Sequence, residues 1–452
     1  MKALFRLALP TSAMFLGIML MGLVDMLFVG KLGPAALGGL GLGNSIFSWI
    51  LTIGIGVLFG LDFPAANAIG AGDRLRAFRV FVQGVYLSFA LAVPAGLATC
   101  GIALILDRFG LNPEAVPFAR AFMIMTAVSY LPIFLFNSAK SYLQAQSIAV
   151  PTFVVLVIAN LLNFFLDAAF IEGRFGFPNF GYNGLAVSTV IGRLFMAAML
   201  LGYVLYREYR AKLIFQIRGI FRANAELLRE ILKLGIPSSA QMLLEVGVFS
   251  LSTALAAKFV SIDLAAHQVV LNTASLLFMV PLGIGSAAGS LVGQAVGAKD
   301  FALARRTGNS ALFLGLGFAA ISSTLLIFFA EPALGIYTTE PAVIESAKKI
   351  LFIAALFQIS DGAQAIATGA LRGLGNTLVA AIANGIGHWA IGLPLGLYFG
   401  FSRGMGVPGI WIGLAVGLTC VAISLVFVWI RASHDARLRE LLEVKAADLT
   451  PA

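Results

Sequence analysis

The polar residues of this chain come in short clusters, and long stretches between them are almost wholly apolar. About twelve stretches are long enough to cross a bilayer: roughly 7–30, 40–70, 79–106, 118–143, 150–172, 184–206, 233–257, 264–296, 308–331, 343–372, 377–401 and 409–431. A crossing helix needs about 20 apolar residues, and backbone in lipid must satisfy its own hydrogen bonds, so each stretch is expected to be an α-helix rather than a strand. The first is too long for a signal-peptide core and lacks a convincing cleavage site, so it is expected to stay as a helix.

The pattern also repeats. "LPTSAM" (9–14) returns as "IPSSAQ" (236–241), 227 residues on, and "GIGVLFG" (54–60) returns as "GIGSAAG" (283–289), 229 on. "AIGAGD" (68–73) returns as "AVGAKD" (295–300), 227 on, and "GYNGLAVSTVIG" (181–192) as "GVPGIWIGLAVG" (406–417), 225 on. The matches keep one order and nearly one offset, which is half the chain. Two six-helix halves are therefore expected. Six is even, so both halves enter the membrane from the same side and form parallel repeats, an arrangement typical of secondary transporters. The expected divisions are an amino-terminal lobe 1–206, a basic cytoplasmic linker 207–232, a carboxy-terminal lobe 233–431 and a cytoplasmic tail 432–452.

Composition agrees with a membrane protein: 60% of residues are hydrophobic and 11% charged, against about 25% charged in soluble chains. A net charge of +9 could suit nucleic acid, but the basic residues alternate by loop. Twenty-one fall on one side, seven of them between 207 and 233, and eight on the other. That is the positive-inside pattern with both termini cytoplasmic. No nucleic-acid partner is expected. Cys100 and Cys420 both sit in apolar runs, so neither a disulfide framework nor a cysteine metal site is expected.

No phosphate-binding loop, H-E-x-x-H or G-x-S-x-G motif is present. His267, His388 and His434 are too scattered for a zinc set. The glycine runs lack the strand and acidic residue of a dinucleotide fingerprint. Gly56 with Gly60, and Gly285 with Gly289, are spaced four apart and are expected to let neighbouring helices approach closely.

Four acids lie deep in apolar spans: Asp25, Asp167, Glu245 and Asp361. Such residues are costly in a membrane and usually functional. Glu245, in "MLLEVGVFS" (242–250), lies about eleven residues from the inner end of its span, and Asp361 a similar distance from the outer end of the tenth, both roughly 16 Å deep. Asn163 precedes Asp167 by one turn on the same face. The repeat equates Asp25 with Ser252 and Glu245 with Ile18, so the acids do not match between halves, and each half is expected to carry its own polar cluster. The structural alternative is a neutral acid donating to a carbonyl. Desolvation disfavours a charged acid, so an acid in such a span can hold a proton or exchange it for a cation.

"GLVDMLFVGKLGPAALGGLGLGNSIFS" (22–48), "LEVGVFS" (244–250), "AAHQVVLNTASLLFMVPLGIGSAAGSLVGQAVGAKD" (265–300) and "FQISDGAQAIATGALRGLGNT" (357–377) resemble the multidrug and toxic compound extrusion family, particularly its NorM-like branch. The resemblance spans nearly the whole chain. It implies an all-α integral membrane protein, with twelve helices in two pseudo-symmetric six-helix bundles around a central cleft. It implies exchange of Na⁺ or H⁺ for lipophilic, mostly cationic drugs by alternating access, without a cofactor, in the cytoplasmic (inner) membrane. Asp25, Glu245 and Asp361 match the family's acids on helices 1, 7 and 10, and Asn163 and Asp167 match its polar positions on helix 5. A Na⁺ site is thus expected either at Glu245 and Asp361 or at Asp25, Asn163 and Asp167. The expected partners are small organic cations and membrane lipid, and the chain is expected to act as a monomer. Two other readings are weaker. A flippase for a lipid-linked precursor would need more cationic residues in its spans, where only Arg193 sits well inside. A membrane-embedded transferase would need clustered acids near one face.

Overall fold

The computed structural model describes residues 1–213 and 222–434, so 214–221 of the expected linker and 435–452 of the expected tail lie outside the described residues. Twelve helices are long and apolar enough to cross a membrane: α1 (Lys2–Gly30), α2 (Pro34–Gly70), α3 (Arg74–Leu104), α4 (Val116–Ala145), α5 (Val150–Phe170), α6 (Tyr182–Arg210), α7 (Ala225–Ala256), α8 (Ser261–Gly297), α9 (Phe301–Phe328), α10 (Pro341–Gly373), α11 (Leu378–Ser402) and α12 (Val407–Ala432). No strand occurs among the described residues. The chain is a multi-pass all-α membrane protein. Residues 207–210 and 225–232, expected in the linker, are helical extensions of α6 and α7. Their charged residues suit helix ends that leave the hydrocarbon. Fully buried Glu208 pairs there with Arg74 at the start of α3, at 2.9 Å.

The chain forms two compact units: Met1–Ser12 with Ala66–Gly72 and Ala240–Ala452, and Ala13–Ala65 with Asp73–Ser239. In the second, α4 packs against α2, α3 and α6; in the first, α10 packs against α8, α9 and α12. The sequence repeats have local causes. Asp73 and Asp300, 227 apart, cap α3 and α9 by accepting hydrogen bonds from the backbone N–H of Arg76 and Leu303, at 2.8 and 2.9 Å. Ser239 Oγ donates to Ile53 O at 3.0 Å, and Ser12 Oγ donates to Val280 O at 3.1 Å. A Cβ at Gly56 would collide with Ser239, and one at Gly283 with Ser12. Every member of these pairs is related by 227 residues, so the structural equivalent of Gly56 is Gly283. The eye-catching glycine match at offset 229 is two residues out of register.

The expected close approach of helices is observed. Gly60 abuts Ile231 and Gly235 of α7. Gly285 and Gly289 of α8 face Gly369 and Gly373 of α10, with backbone against backbone. A side chain on that crossing has nowhere to go.

The C-terminal end of α1, which carries Asp25, is tied to the loop after α5, which carries Asp167. Lys31 Nζ lies 2.7 Å from Glu172 Oε1, and Arg174 Nε 2.5 Å from Oε2. The Lys31 hydrogen bond, and then the Arg174 charge, hold the Glu172 carboxyl below the ordinary range. A lowered folded-state value means that the clasp contributes fully above the unperturbed value of about 4.3 and fades as pH falls through the lower native value. Lys31 and Arg174 are exposed, so the clasp's contribution is small and screened by salt.

Two outcomes follow. Gly369→Ala should destabilise the detergent-solubilised protein by about 1–3 kcal/mol, seen as a lower melting midpoint. Gly317→Ala, with no atom near its added Cβ, should not. The melting advantage of wild type over Glu172→Gln should be constant at neutral pH and vanish on acidification below about pH 4.

Candidate cation and substrate sites

The unit built on α4 gathers the first cluster. Asp25 on α1 accepts a hydrogen bond at Oδ1 from Asn163 Nδ2 of α5, at 3.1 Å. Asp167, one turn beyond Asn163, is fully buried, and its carboxyl interacts with that of Asp25. Ser188 of α6 donates to Asp167 Oδ1 through a short hydrogen bond. Among the described residues, no donor reaches Asn163 Oδ1 or Asp167 Oδ2, and both atoms are buried. Two adjoining carboxyls repel when both are charged. With two acceptor oxygens left over, the arrangement suits a proton or a small hard cation.

The other unit gathers the second cluster. Glu245 Oε2 accepts from Gln241 Nε2, one turn earlier on α7, at 2.7 Å, and from Gln364 Nε2 of α10 at 3.1 Å. Asp361 is buried on α10, three residues before Gln364 and so on the same face, and its charge interacts with that of Glu245. Gln364 Oε1 is buried without a donor among the described residues. The structure thus brings together Asp25, Asn163 and Asp167 in one group, and Glu245 and Asp361 in another. The repeat equivalents are inert: Ser252 bonds its own helix at Val248 O, and Ile18 is exposed.

Three contributors escaped the sequence reading: Ser188, Gln241 and Gln364. Each is a neutral polar residue in an apolar span, and nothing but proximity distinguishes it from the Ser and Thr residues that bond their own helix backbone. Gln241 alone had a signal, lying four residues before Glu245 on the same helix.

The histidines divide. Trp411 Nε1 donates to His267 Nδ1 at 3.0 Å, and His267 Nε2 meets Thr253 Oγ1 at 2.9 Å. An indole N–H can only donate, so Nδ1 is the acceptor and the hydrogen sits on Nε2. His267 is a locked link among α7, α8 and α12. His388 is buried in a π-helical stretch of α11, Gly385–Gly392, with neither ring nitrogen bonded within the described residues. No group of three or more His, Cys, Asp or Glu suited to a metal occurs among the described residues.

Comparison with known proteins gives this architecture its class. The MatE family model matches residues 10–169 and 237–398, one segment in each half of the chain. A probable multidrug resistance protein NorM of Pseudomonas putida is 33% identical over 437 residues, covering 94% of this chain and 93% of the relative. The multidrug resistance protein NorM of Burkholderia vietnamiensis is 33% identical over 424 residues, covering 92% and 91%. A eukaryotic MATE transporter superposes with a TM-score of 0.86 at 22% identity, covering 97% and 98% of the two chains. An outward-facing multidrug resistance MATE transporter superposes at 0.88 with 21% identity, covering 97% and 96%. The chain belongs to the multidrug and toxic compound extrusion family, in its NorM-like branch, and is a membrane transporter rather than an enzyme.

Ser188→Ala strips Asp167 of the one side-chain hydroxyl that donates to it among the described residues. A hydrogen bond to a charged group is worth about 1.5–3 kcal/mol, so if this cluster holds a cation, the cation concentration for half-maximal efflux should shift roughly tenfold or more, with normal expression and membrane insertion.

Proposed function

We propose that this chain is a multidrug efflux antiporter of the inner membrane that exchanges Na⁺ or H⁺ for lipophilic organic cations by alternating access of its two six-helix lobes, with both termini cytoplasmic. The observation that carries the reading is the pair of acid clusters, one in each compact unit, at positions where the internal repeat has no matching acid. A packing requirement shared by the halves would leave matching residues. Unmatched acids, three of them held by amide or hydroxyl donors and one, Asp167, keeping an oxygen with no donor among the described residues, suit a ligand that comes and goes.

Two different clusters also suit an exchange cycle. A ligand shifts a conformational equilibrium only through its differential affinity for the two states. Antiport requires that cation and drug each favour a different facing state, or compete for one charge. The cluster at Asp25, Asn163 and Asp167 offers hard oxygen atoms and suits the coupling cation. The cluster at Glu245 and Asp361 lies beside aromatic walls, with Phe249 and Phe357 centroids 5.9 Å apart and Phe357 against Trp411 at 5.8 Å. Glu245 and Phe249, like Phe357 and Asp361, are one helical turn apart. Acid beside aromatic face suits a flat lipophilic cation. Drug recognition then follows charge and shape.

The test is dye efflux from proteoliposomes under an imposed Na⁺ gradient and then an imposed pH gradient. Ethidium should be exported under at least one of them, and small anionic drugs under neither. Asp25→Asn should abolish gradient-driven efflux at equal surface expression; wild-type efflux from it removes Asp25 from the mechanism. Glu245→Gln and Asp361→Asn should each stop or uncouple transport, and the double variant should be little worse than either, as for groups acting as one unit. Multiplying defects would show that the two acids work separately.

A further inference from the structure

Arg193 lies in the middle of α6, and its role is set by none of the contacts described so far. Its guanidinium Cζ sits 4.5 Å from the centre of the Phe47 ring of α2, and Nη1 donates to Ser129 Oγ of α4 at 2.6 Å. Phe47 is itself fixed. It stacks on Tyr130 at 4.3 Å, and Tyr130 Oη donates to Phe47 O at 3.1 Å and shares a hydrogen bond of 2.7 Å with Thr99. Aromatic, hydroxyl and backbone together hold the cation in place. Yet among the described residues no carboxylate comes within ion-pairing distance of it. An arginine in a membrane span is costly without compensation, and arginine keeps its charge in proteins.

The compensating charges lie slightly farther off. Ser188, five residues before Arg193 on α6 and so about 7.5 Å away along the helix axis, donates to Asp167 Oδ1, which puts the guanidinium beside the cluster, where it interacts electrostatically with Asp25. Tyr130 is the other titratable group that bears on it. Two further internal charges and a pair belong elsewhere: Asp62 stands 37 residues after Asp25, near the far end of α2. Arg74 and Glu208 neutralise each other at the inner end. Lys140 sits over Phe15 and Phe59, about 16 Å from Ser129 along α4 at 1.5 Å per residue. At the level of the cation cluster the count is two acids and one permanent cation. With both acids ionised the cluster carries a net charge of −1.

We infer that Arg193 is a fixed internal counter-charge that limits the Asp25–Asn163–Asp167 cluster to one monovalent cation per transport cycle. One proton or one Na⁺ brings the cluster to neutrality, and a second would leave it positive in a low-dielectric interior. Without Arg193 the same acids carry −2 and accept two. Phe47, Ser129 and Tyr130 keep the guanidinium near the acids without pairing it to them, so it neutralises the cluster without occupying the ligand position. The inference rests on the antiport reading above and adds to it the number of ions per cycle.

The experiment compares wild type with Arg193→Gln and Arg193→Lys in proteoliposomes holding a fixed cation gradient, with ethidium as the transported cation and a K⁺ diffusion potential varied across the membrane. Each additional cation exchanged per ethidium moves the steady-state ethidium ratio a further tenfold per 59 mV. Arg193→Gln should be steeper than wild type by one such step, and Arg193→Lys should match wild type. Equal slopes for wild type and Arg193→Gln, or a lysine variant that behaves like glutamine, would overturn the inference. If the glutamine variant does not transport, ²²Na⁺ binding and proton release per mole of detergent-solubilised protein decide the point: one extra cation supports it, and equal counts overturn it. Arg193→Met, which removes the charge and keeps much of the bulk, replaces a glutamine variant that does not fold. A wild type whose efflux ignores both Na⁺ and pH gradients overturns the antiport reading itself, and this inference with it.

Discussion

A charge in hydrocarbon must have a partner, and that requirement shapes the interior of this protein. Asp167 is fully buried and has Ser188, Asn163 one turn away and Asp25 around it. Glu245 is met by two glutamine amides, and Arg193 by a ring and a hydroxyl. Among the described residues none of the three has a salt-bridge partner. A salt bridge would satisfy such a group permanently. Neutral dipoles support a carboxylate in either protonation state and leave room for an ion. The contrast within the same chain is Glu208, fully buried and paired with Arg74 at 2.9 Å, where permanent pairing serves the joint between α3 and α6.

The scaffold around these groups is nearly two-fold in sequence. Asp73 and Asp300 cap equivalent helices; Ser12 and Ser239 bond equivalent carbonyls across equivalent glycines. These positions are small or capping residues because backbone approach and orphan N–H groups impose the same demand in both halves. The acids break the symmetry. Where one repeat places Asp25, the other places Ser252, bonded only to its own helix. Symmetric positions build the frame, and the buried acids stand at asymmetric ones. The family relationship rests on the frame, which is why solved transporters at 21–22% identity superpose over 97% of the chain.

The sequence by itself determined the number of helices, their membrane setting, the two-fold repeat and the acids worth attention. Those features follow from local rules: about 20 apolar residues span a bilayer, backbone there must be helical, and a lone carboxylate in an apolar run is costly wherever it lies. The helix ends were less legible. Residues 207–210 and 225–232, half of them charged, read as linker, but they continue α6 and α7, because a helix leaving the membrane keeps its hydrogen bonds while its side chains become polar. The glycine register was misread by two residues, because identical letters outweighed the question of what each glycine touches.

Only the tertiary structure decided which polar residues meet. Ser188 lies 21 positions from Asp167, and Gln364 lies 119 from Glu245; no periodicity relates residues on different helices. It also separated a histidine locked by Trp411 from one with no partner among the described residues, although both stand in similar apolar runs. Arg193 showed in the sequence as a solitary cation. Its place between Phe47, Ser129 and the acids emerged only when α1, α2, α4, α5 and α6 were packed together, because electrostatic compensation depends on distance in space, and in a helical membrane protein that distance is set by which helix faces meet.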